Sequence, residues 1–176
     1  IGAPRVLKSD NAPELTSKKV RAYLNSIHVP QEKTEPFHPN QNLSERRGGI
    51  VKSATVHLLA ITGAPLEFWC YALEYVVEVG NHLARRSLNW RCALEALWGV
   101  TPDLSVFRFV FWQPVWYYNP RRGFPLSKMS KGRFLGIAKN VGDAFCYLIL
   151  IEPSAPTETP QVIARSVVRS RTLLDD

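Results

Sequence analysis

Two acidic residues, Asp10 and Glu45, stand where side chains can converge on a site. Asp10 ends a short extended segment that begins at Arg5, and Glu45 lies in the first turn expected of a long helix. Carboxylates that meet in this way can bind Mg²⁺, which prefers oxygen ligands. A turn residue and a dipole-compensating helix cap are the commoner roles for such residues. The residues alone leave a metal site and these structural roles both open.

Three basic residues, Arg46, Arg47 and Lys52, follow Glu45 on the same expected helix. Lys52 lies seven residues after Glu45, two turns along the same face, where a cation could meet a substrate phosphate. Arg46 is adjacent to Glu45 and could assist. We predict that Arg46 and Lys52 contact DNA, and the alternative is that both are simply solvated.

A longer run of cations occurs in the C-terminal part of the chain. Six Lys and Arg residues lie in this run with no acid among them, and aromatic residues are close by: Arg121, Arg122, Lys128, Lys131, Arg133 and Lys139. Cations bind the DNA backbone in a salt-sensitive manner, and aromatic rings can stack on a distorted DNA end. We expect most of the aromatics to lie in the core and several of the cations to contact DNA.

The net charge points to the same class of partner. The chain carries +7 overall with a pI of about 9.5. Residues 104–171 hold ten Lys and Arg and three Asp and Glu, so this stretch accounts for +7 and the remainder is neutral. A nucleic acid is favoured over a membrane, because the chain shows neither a basic amphipathic helix nor a transmembrane-length apolar run. The three widely spaced cysteines, without a CxxC pair, favour neither a disulfide framework nor a zinc site.

The N-terminal elements must position the acidic pair. Hydrophobic periodicity and turn residues predict strands, helices and a polar loop in the order Arg5–Ser9 (strand), Glu14–Ile27 (helix), Val29–Glu35 (strand), Phe37–Asn42 (loop) and a helix from Asn42 or Ser44 to Thr62. Gly48 and Gly49 fall inside the last helix and conflict with it, at about 1 kcal/mol each relative to Ala.

The rest of the chain changes from helical to strand periodicity near Pro102. We predict helices at Leu66–Arg86 and Ala93–Trp98, followed by strands at Phe107–Tyr118, Gly132–Ala138, Ala144–Ile151 and Gln161–Val168. Glu67, Glu74 and Glu78 should form a solvated face of the first helix, opposite a core stripe that includes Leu83. Short strands in so small a segment suggest a small β-barrel.

Several motifs, taken in order, resemble the integrases of copia-type (Pseudoviridae) retrotransposons. Near the acidic pair, KSDNAPEL at Lys8–Leu15 is similar to the family's SDNGGEF, and PFHPNQNLSER at Pro36–Arg46 is similar to its PYTPQQNGVAER. Further along, four segments resemble LPxxFWxEA, KPDxSHLRVFGC, (K)xxxFLGY and ixSRDVxF, at Leu66–Ala72, Thr101–Arg108, Lys131–Gly136 and Val162–Val168, and Asn81–Leu83 stands where the family has YLxNR. The ordered set is more specific than any one motif.

This resemblance implies an α/β fold, a truncated RNase H-like integrase core, followed by a small SH3-like all-β barrel. We accordingly divide the chain into three parts. Residues 1–65 would be a partial RNase H-like catalytic core, residues 66–102 a helical extension of that core, and residues 103–172 the SH3-like domain.

The resemblance also implies a catalytic site. Integrases of this family hold two Mg²⁺ ions with three carboxylates, Asp, Asp and Glu. Asp10 would be the second Asp and Glu45 the Glu, both catalytic and metal-binding, while the first Asp is expected on a strand upstream of Ile1. The family's Asn-Gly-Val-Ala-Glu becomes Asn42-Leu43-Ser44-Glu45, and one residue lost there would rotate Glu45 by about 100°. We therefore expect weak metal binding and little or no turnover.

The resulting functional prediction is a fragment of a retrotransposon Gag-Pol integrase. Such a protein would bind element ends and target DNA, and ancestrally catalyse Mg²⁺-dependent 3′-end processing and strand transfer. It would work as a homo-oligomer in the nucleus, without a membrane partner. The alternative is a non-catalytic DNA-binding or protein-interaction remnant of a decayed or domesticated element.

Overall fold

The computed structural model describes most of the chain, namely residues 3–9, 12–33, 35, 43–142, 145–151 and 159–171. Asp10 and the predicted polar loop at Phe37–Asn42 lie outside these residues. The chain divides into two compact units, Ile1–Lys52 and Ser53–Asp176, which are taken separately below. No helix in the described ranges combines the length and the apolarity needed to cross a bilayer.

The first unit begins with two short parallel strands, β1 (Leu7–Ser9) and β2 (Gln31–Lys33). Leu7 pairs with Gln31, and the Gln31 side-chain amide donates a hydrogen bond of 3.0 Å to the Ser9 hydroxyl oxygen. Both strands were predicted. They are shorter than expected from the sequence, and their parallel pairing was not predicted.

Between these strands lie two helices rather than the single helix predicted at Glu14–Ile27. They are α1 (Pro13–Thr16) and α2 (Lys18–Ser26). Ser17 separates them with an extended backbone (φ −61°, ψ 153°), and its hydroxyl oxygen accepts a 3.4 Å hydrogen bond from Val20 N–H. A serine side chain that caps a helix in this way competes with continuous helix formation. The prediction was therefore wrong at Ser17.

Helix α3 (Leu43–Thr62) confirms the long helix predicted in this region. It contributes residues 43–52 to the first unit and 53–62 to the second. At its end the Thr62 hydroxyl donates 2.7 Å to the Leu58 carbonyl oxygen, and Gly63 adopts a left-handed conformation at φ 67°. A glycine there ends a helix without the steric cost that a Cβ atom would add.

The second unit continues with a 3₁₀ turn at Leu66–Phe68 and helix α4 (Trp69–His82). The predicted helix at Leu66–Arg86 is therefore shorter at both ends. Leu83, predicted as a core residue, has an extended backbone and is 58% exposed. Glu78 is not simply solvated as predicted, because its carboxylate forms an ion pair with Lys139.

Helix α5 (Ala93–Trp98) matches its predicted bounds. Its start is capped by Cys92, whose sulfur accepts a hydrogen bond of 3.2 Å from Glu95 N–H. Its end is marked by Gly99, which is left-handed at φ 75°. The local sequence therefore determines both ends of this helix.

The strands described in the second unit form one antiparallel sheet. Their order is β6-β5-β4-β3-β7, and their bounds are β3 (Pro114–Tyr118), β4 (Met129–Ile137), β5 (Tyr147–Ile151), β6 (Gln161–Arg165) and β7 (Val168–Ser170). Several limits differ from the prediction. The segment at 107–113 is not a strand, β4 begins earlier, β5 begins later at Tyr147, and the predicted strand at Gln161–Val168 is divided at Ser166.

Two apolar clusters among the described residues hold the second unit together. The first contains Leu59, Ala64, Phe68, Ala72, Phe111, Leu135 and Leu150, and the second Phe109, Val115, Tyr117, Phe134, Tyr147, Ile149 and Val168. Tyr75 of α4 packs against both clusters, and α4 contacts β4 of the sheet. The chain is thus a mixed helix and sheet protein with a five-stranded antiparallel sheet among its described residues. The RNase H-like core, the SH3-like barrel and the three-part division stay predictions.

Candidate nucleic-acid interface

The predicted carboxylate pair cannot be assembled from the described residues. Asp10 lies outside them, and Glu45 is exposed in the first turn of α3. The described part of the chain contains no group of three or more His, Cys, Asp or Glu side chains placed to hold a metal ion. Because Asp10 lies outside the described residues, the Mg²⁺ site of Asp10 and Glu45 stays a prediction. Arg46 and Lys52 are exposed on the same helix.

The C-terminal cations, in contrast, meet on one side of the sheet. Strand residues alternate between the two sides of a sheet. In β3, Val115 and Tyr117 are buried at 0% and 2% exposure, so Trp116 and Tyr118 face the opposite side. Tyr118 is 36% exposed there.

Strand β4 follows the same alternation beside β3. Gly132 and Phe134 point into the packed side, and Lys131 and Arg133 point to the side of Trp116. Trp116 pairs directly with Lys131 in the antiparallel register. The structure therefore brings an aromatic ring and a cation side by side on adjacent strands.

Strand β7 completes a row across three strands. On the β7 side of β3, Trp116 pairs with Arg169. Val168, which precedes Arg169 in β7, is buried at 7% exposure, so Arg169 points to the side of Trp116. Arg169, Trp116 and Lys131 thus lie next to one another on β7, β3 and β4. The three strands contain no Asp or Glu, so this row carries positive charge only.

Cations contact ring faces in and around this row. Above Trp116, the Lys131 Nζ lies 5.6 Å and the Arg171 Cζ 5.7 Å from the ring centroid. Attraction between a cation and the face of an aromatic ring at such distances contributes about 0.5–1 kcal/mol at exposed sites. Trp116 therefore helps to orient two cations at the sheet surface.

Two further cation and ring pairs flank Trp116. The Lys128 Nζ lies 6.0 Å from the Tyr118 ring centroid. On the other flank, Arg133 lies 5.8 Å from the ring of Trp112, which also packs against Phe68 at 5.0 Å between ring centroids. We call the whole set the basic aromatic face, and it comprises Trp112, Trp116, Tyr118, Lys128, Lys131, Arg133, Arg169 and Arg171.

The remaining predicted cations lie elsewhere. Arg121 and Arg122 are exposed in the loop between β3 and β4. Lys139 pairs with Glu78 and does not belong to the basic aromatic face. Of the predicted DNA-binding residues, the structure thus brings Lys128, Lys131 and Arg133 together.

Arg169 and Arg171 were missed from the sequence. The alternation of buried Val168, exposed Arg169 and the following residues carries the necessary signal. The prediction of a single strand at Gln161–Val168 ended before Arg169, so this alternation was not used to assign Arg169 or Arg171 to a face.

Comparisons with known proteins add one structural similarity. No protein-family model matches the chain, and no curated protein matches it. Among solved structures, the chain is similar to a chain in the cryo-EM structure of the simian T-cell lymphotropic virus intasome in complex with the PP2A regulatory subunit B56 gamma. The sequence identity is 20%, the TM-score is 0.42, and the similarity covers 96% of this chain and 58% of that chain.

Proposed function

We propose that this chain is an integrase-related protein that binds DNA through its basic aromatic face. The observation that carries the proposal is the row of Arg169, Trp116 and Lys131 across three strands. The ordered motifs of the sequence support the integrase relationship independently of this row.

The row has dimensions suited to a phosphate backbone. Neighbouring strands are about 4.8 Å apart, so the backbones that carry Arg169 and Lys131 are separated by about 10 Å. That distance exceeds the helix rise of about 3.4 Å per phosphate of one DNA strand, so the two cations can contact different phosphates. Cations at both ends of the row can therefore contact one DNA molecule, and the Trp116 ring between them restricts the rotamers of Lys131 before binding.

The binding experiment compares two double variants by fluorescence anisotropy on a labelled duplex. Lys131→Gln with Arg169→Gln removes both ends of the row. We expect the affinity to fall by about tenfold or more, since charge-assisted hydrogen bonds contribute about 1.5–3 kcal/mol each. The matched control is Lys18→Gln with Lys19→Gln, which removes the same charge from the exposed surface of α2.

The control variant should bind DNA within about twofold of the wild type. Circular dichroism should show that all three proteins are folded. If the two double variants lose affinity equally, the basic aromatic face is not the DNA-binding site.

The finer proposal is that the chain derives from a copia-type Gag-Pol integrase acting on element ends and target DNA in the nucleus as a homo-oligomer. Asp10 and Glu45 would then be its share of a Mg²⁺ site. The support is their position in the two motifs that resemble the family's SDNGGEF and PYTPQQNGVAER. Mg²⁺ would supply charge neutralisation beside the reacting phosphate.

Calorimetric titration tests this assignment with the chain as it stands. We expect weak Mg²⁺ binding that is lost in Asp10→Asn and in Glu45→Gln, and strand transfer at or near background in all three proteins. Glu14→Gln is the control, because Glu14 lies close to Asp10 in the sequence without belonging to the proposed pair. Mg²⁺ binding that is equal in all four proteins would exclude the pair.

The alternative function is a non-catalytic remnant that binds DNA or another protein. It is supported by the basic aromatic face, whose cations and aromatic rings can contact DNA without a metal ion. DNA binding without any effect of Asp10→Asn or Glu45→Gln on Mg²⁺ affinity would support this alternative.

A further inference from the structure

The loop between β3 and β4 displays an aromatic side chain that no packing within the described residues explains. Phe124 is 99% exposed, and Leu126 two residues later is 62% exposed. Leaving a phenylalanine in water forgoes roughly 1.5–3 kcal/mol of burial. A ring held out in this way is suited to contact with a partner.

The start of this loop is held in shape by Asn119. Its backbone N–H donates 2.7 Å to the Lys128 carbonyl oxygen, which closes the loop at its base. Its side-chain oxygen accepts 3.1 Å from Arg121 N–H, and its backbone oxygen accepts 3.2 Å from Arg122 N–H. Its side-chain amide also donates 3.3 Å to the Ser130 hydroxyl oxygen. The two arginines are thereby placed immediately before the exposed ring.

The loop continues directly from the basic aromatic face. Tyr118 is the last residue of β3 and shares the side of Trp116. Lys128 closes the other arm of the loop and lies over the Tyr118 ring. A DNA duplex bound across the row of Arg169, Trp116 and Lys131 would therefore lie next to the loop that contains Arg121, Arg122 and Phe124.

We propose that this loop recognises unpaired bases in DNA, with Phe124 stacked on a base that has left the duplex and Arg121 and Arg122 against the flanking phosphates. The inference rests on the DNA binding proposed above and adds the form of DNA that is preferred. Aromatic stacking on a base is independent of its identity, so the preference is for unpaired structure rather than for sequence. Paired bases present no free ring face to a side chain.

The experiment uses anisotropy to measure affinity for two duplexes that share one labelled strand and differ in whether its central aminopurine is paired. One is fully paired, and the other carries a central unpaired aminopurine, a base whose fluorescence is quenched by stacking. We expect the wild type to prefer the second duplex by at least about fivefold. Phe124→Ala should abolish the preference and change the affinity for the paired duplex by less than about twofold.

Two further variants separate stacking from general effects. Phe124→Trp should keep the preference, because it retains a ring. Val141→Ala, which shortens a 55% exposed apolar side chain in the β4–β5 connection, should also keep it. Aminopurine fluorescence should fall on binding of the wild type and Phe124→Trp, and change little with Phe124→Ala.

Several outcomes would overturn the inference. They are an unchanged preference in Phe124→Ala, an equal loss of affinity for both duplexes in that variant, and Phe124-dependent binding to phosphatidylserine vesicles without a preference between the duplexes. If the wild type binds neither duplex at low salt, the proposed function itself fails and the inference fails with it. If the wild type binds the paired duplex but does not prefer the duplex with the unpaired base, this inference fails while the proposed DNA binding stands.

Discussion

Tyr147 has an almost fully buried side chain at 1% exposure, yet its hydroxyl has no hydrogen-bond partner among the described residues. The ring packs against Phe109 and Phe134, with centroid distances of 5.2 and 5.7 Å. The ring therefore stabilises the sheet while the hydroxyl opposes it, because a buried polar group without a partner loses its hydration.

Tyr147→Phe should consequently leave the fold as stable or make it more stable by about 1 kcal/mol. The matched variant is Tyr75→Phe, because the Tyr75 hydroxyl donates 3.3 Å to the Phe109 carbonyl oxygen. That variant should cost about 0.5–1.5 kcal/mol. Urea unfolding measures both. A loss in Tyr147→Phe as large as that in Tyr75→Phe would show that the Tyr147 hydroxyl is hydrogen-bonded in solution.

The same residue gives a pH dependence. Burial raises the pKa of Tyr147 above its ordinary value, against a smaller opposing effect of Arg108. Above about pH 10 the unfolded chain loses this proton while the folded chain keeps it, so stability falls as the pH rises. The loss between about pH 8 and pH 10.5 should be smaller in Tyr147→Phe than in the wild type.

Helix and strand periodicity predicted most elements, and the failures have physical causes. The aromatic and β-branched residues of 107–118 indicated a strand, and Phe109 and Phe111 are indeed buried at 5% and 1% exposure. The segment nevertheless lies outside the strands of the sheet. Only at its end do Trp112 N–H and the Gln113 carbonyl oxygen form hydrogen bonds with Phe134 of β4, and Trp112 has a left-handed backbone at φ 65°. Alternating burial reveals which side chains face the core. It does not reveal whether the backbone hydrogen bonds form a sheet.

Two glycines show that local sequence also fails to predict tertiary contacts at the scale of an element. Gly48 conflicts with helix propensity, but α3 contains it, and a Cβ atom there would meet nothing within 4 Å. Gly132 looks unremarkable in the sequence, yet a Cβ atom there would lie 2.6 Å from Ile149 Cγ2 and 2.7 Å from the Leu150 carbonyl oxygen. Close approach between strands depends on distant residues, which local periodicity cannot supply.

The candidate site was predicted only in part for the same reason. Lys128, Lys131 and Arg133 were predicted to bind DNA because they belong to a run of cations without an acid, and they lie on one face. Their relation to Trp116 and Arg169 depends on the register of β3 with β4 and β7. Register follows from the packing of whole strands, so cations distant in sequence could not be assigned to the face beforehand.

At the scale of the whole molecule, a net charge of +7 attracts DNA from any direction. A summed field of this kind and a localised face make different predictions about salt. Each phosphate neutralised by a cation releases counterions and adds about 0.9 to the slope of log affinity against log salt. A cation that adds only to the summed electrostatic field, without contacting a phosphate, releases no counterions from the DNA.

The Lys131→Gln and Arg169→Gln double variant should therefore reduce the salt slope by about 2. The Lys18→Gln and Lys19→Gln double variant lowers the net charge equally but should leave the slope within about 0.5 of the wild type. Anisotropy titrations at several salt concentrations measure all three slopes. Equal slopes in the two variants would mean that the summed charge, and not the basic aromatic face, governs DNA binding.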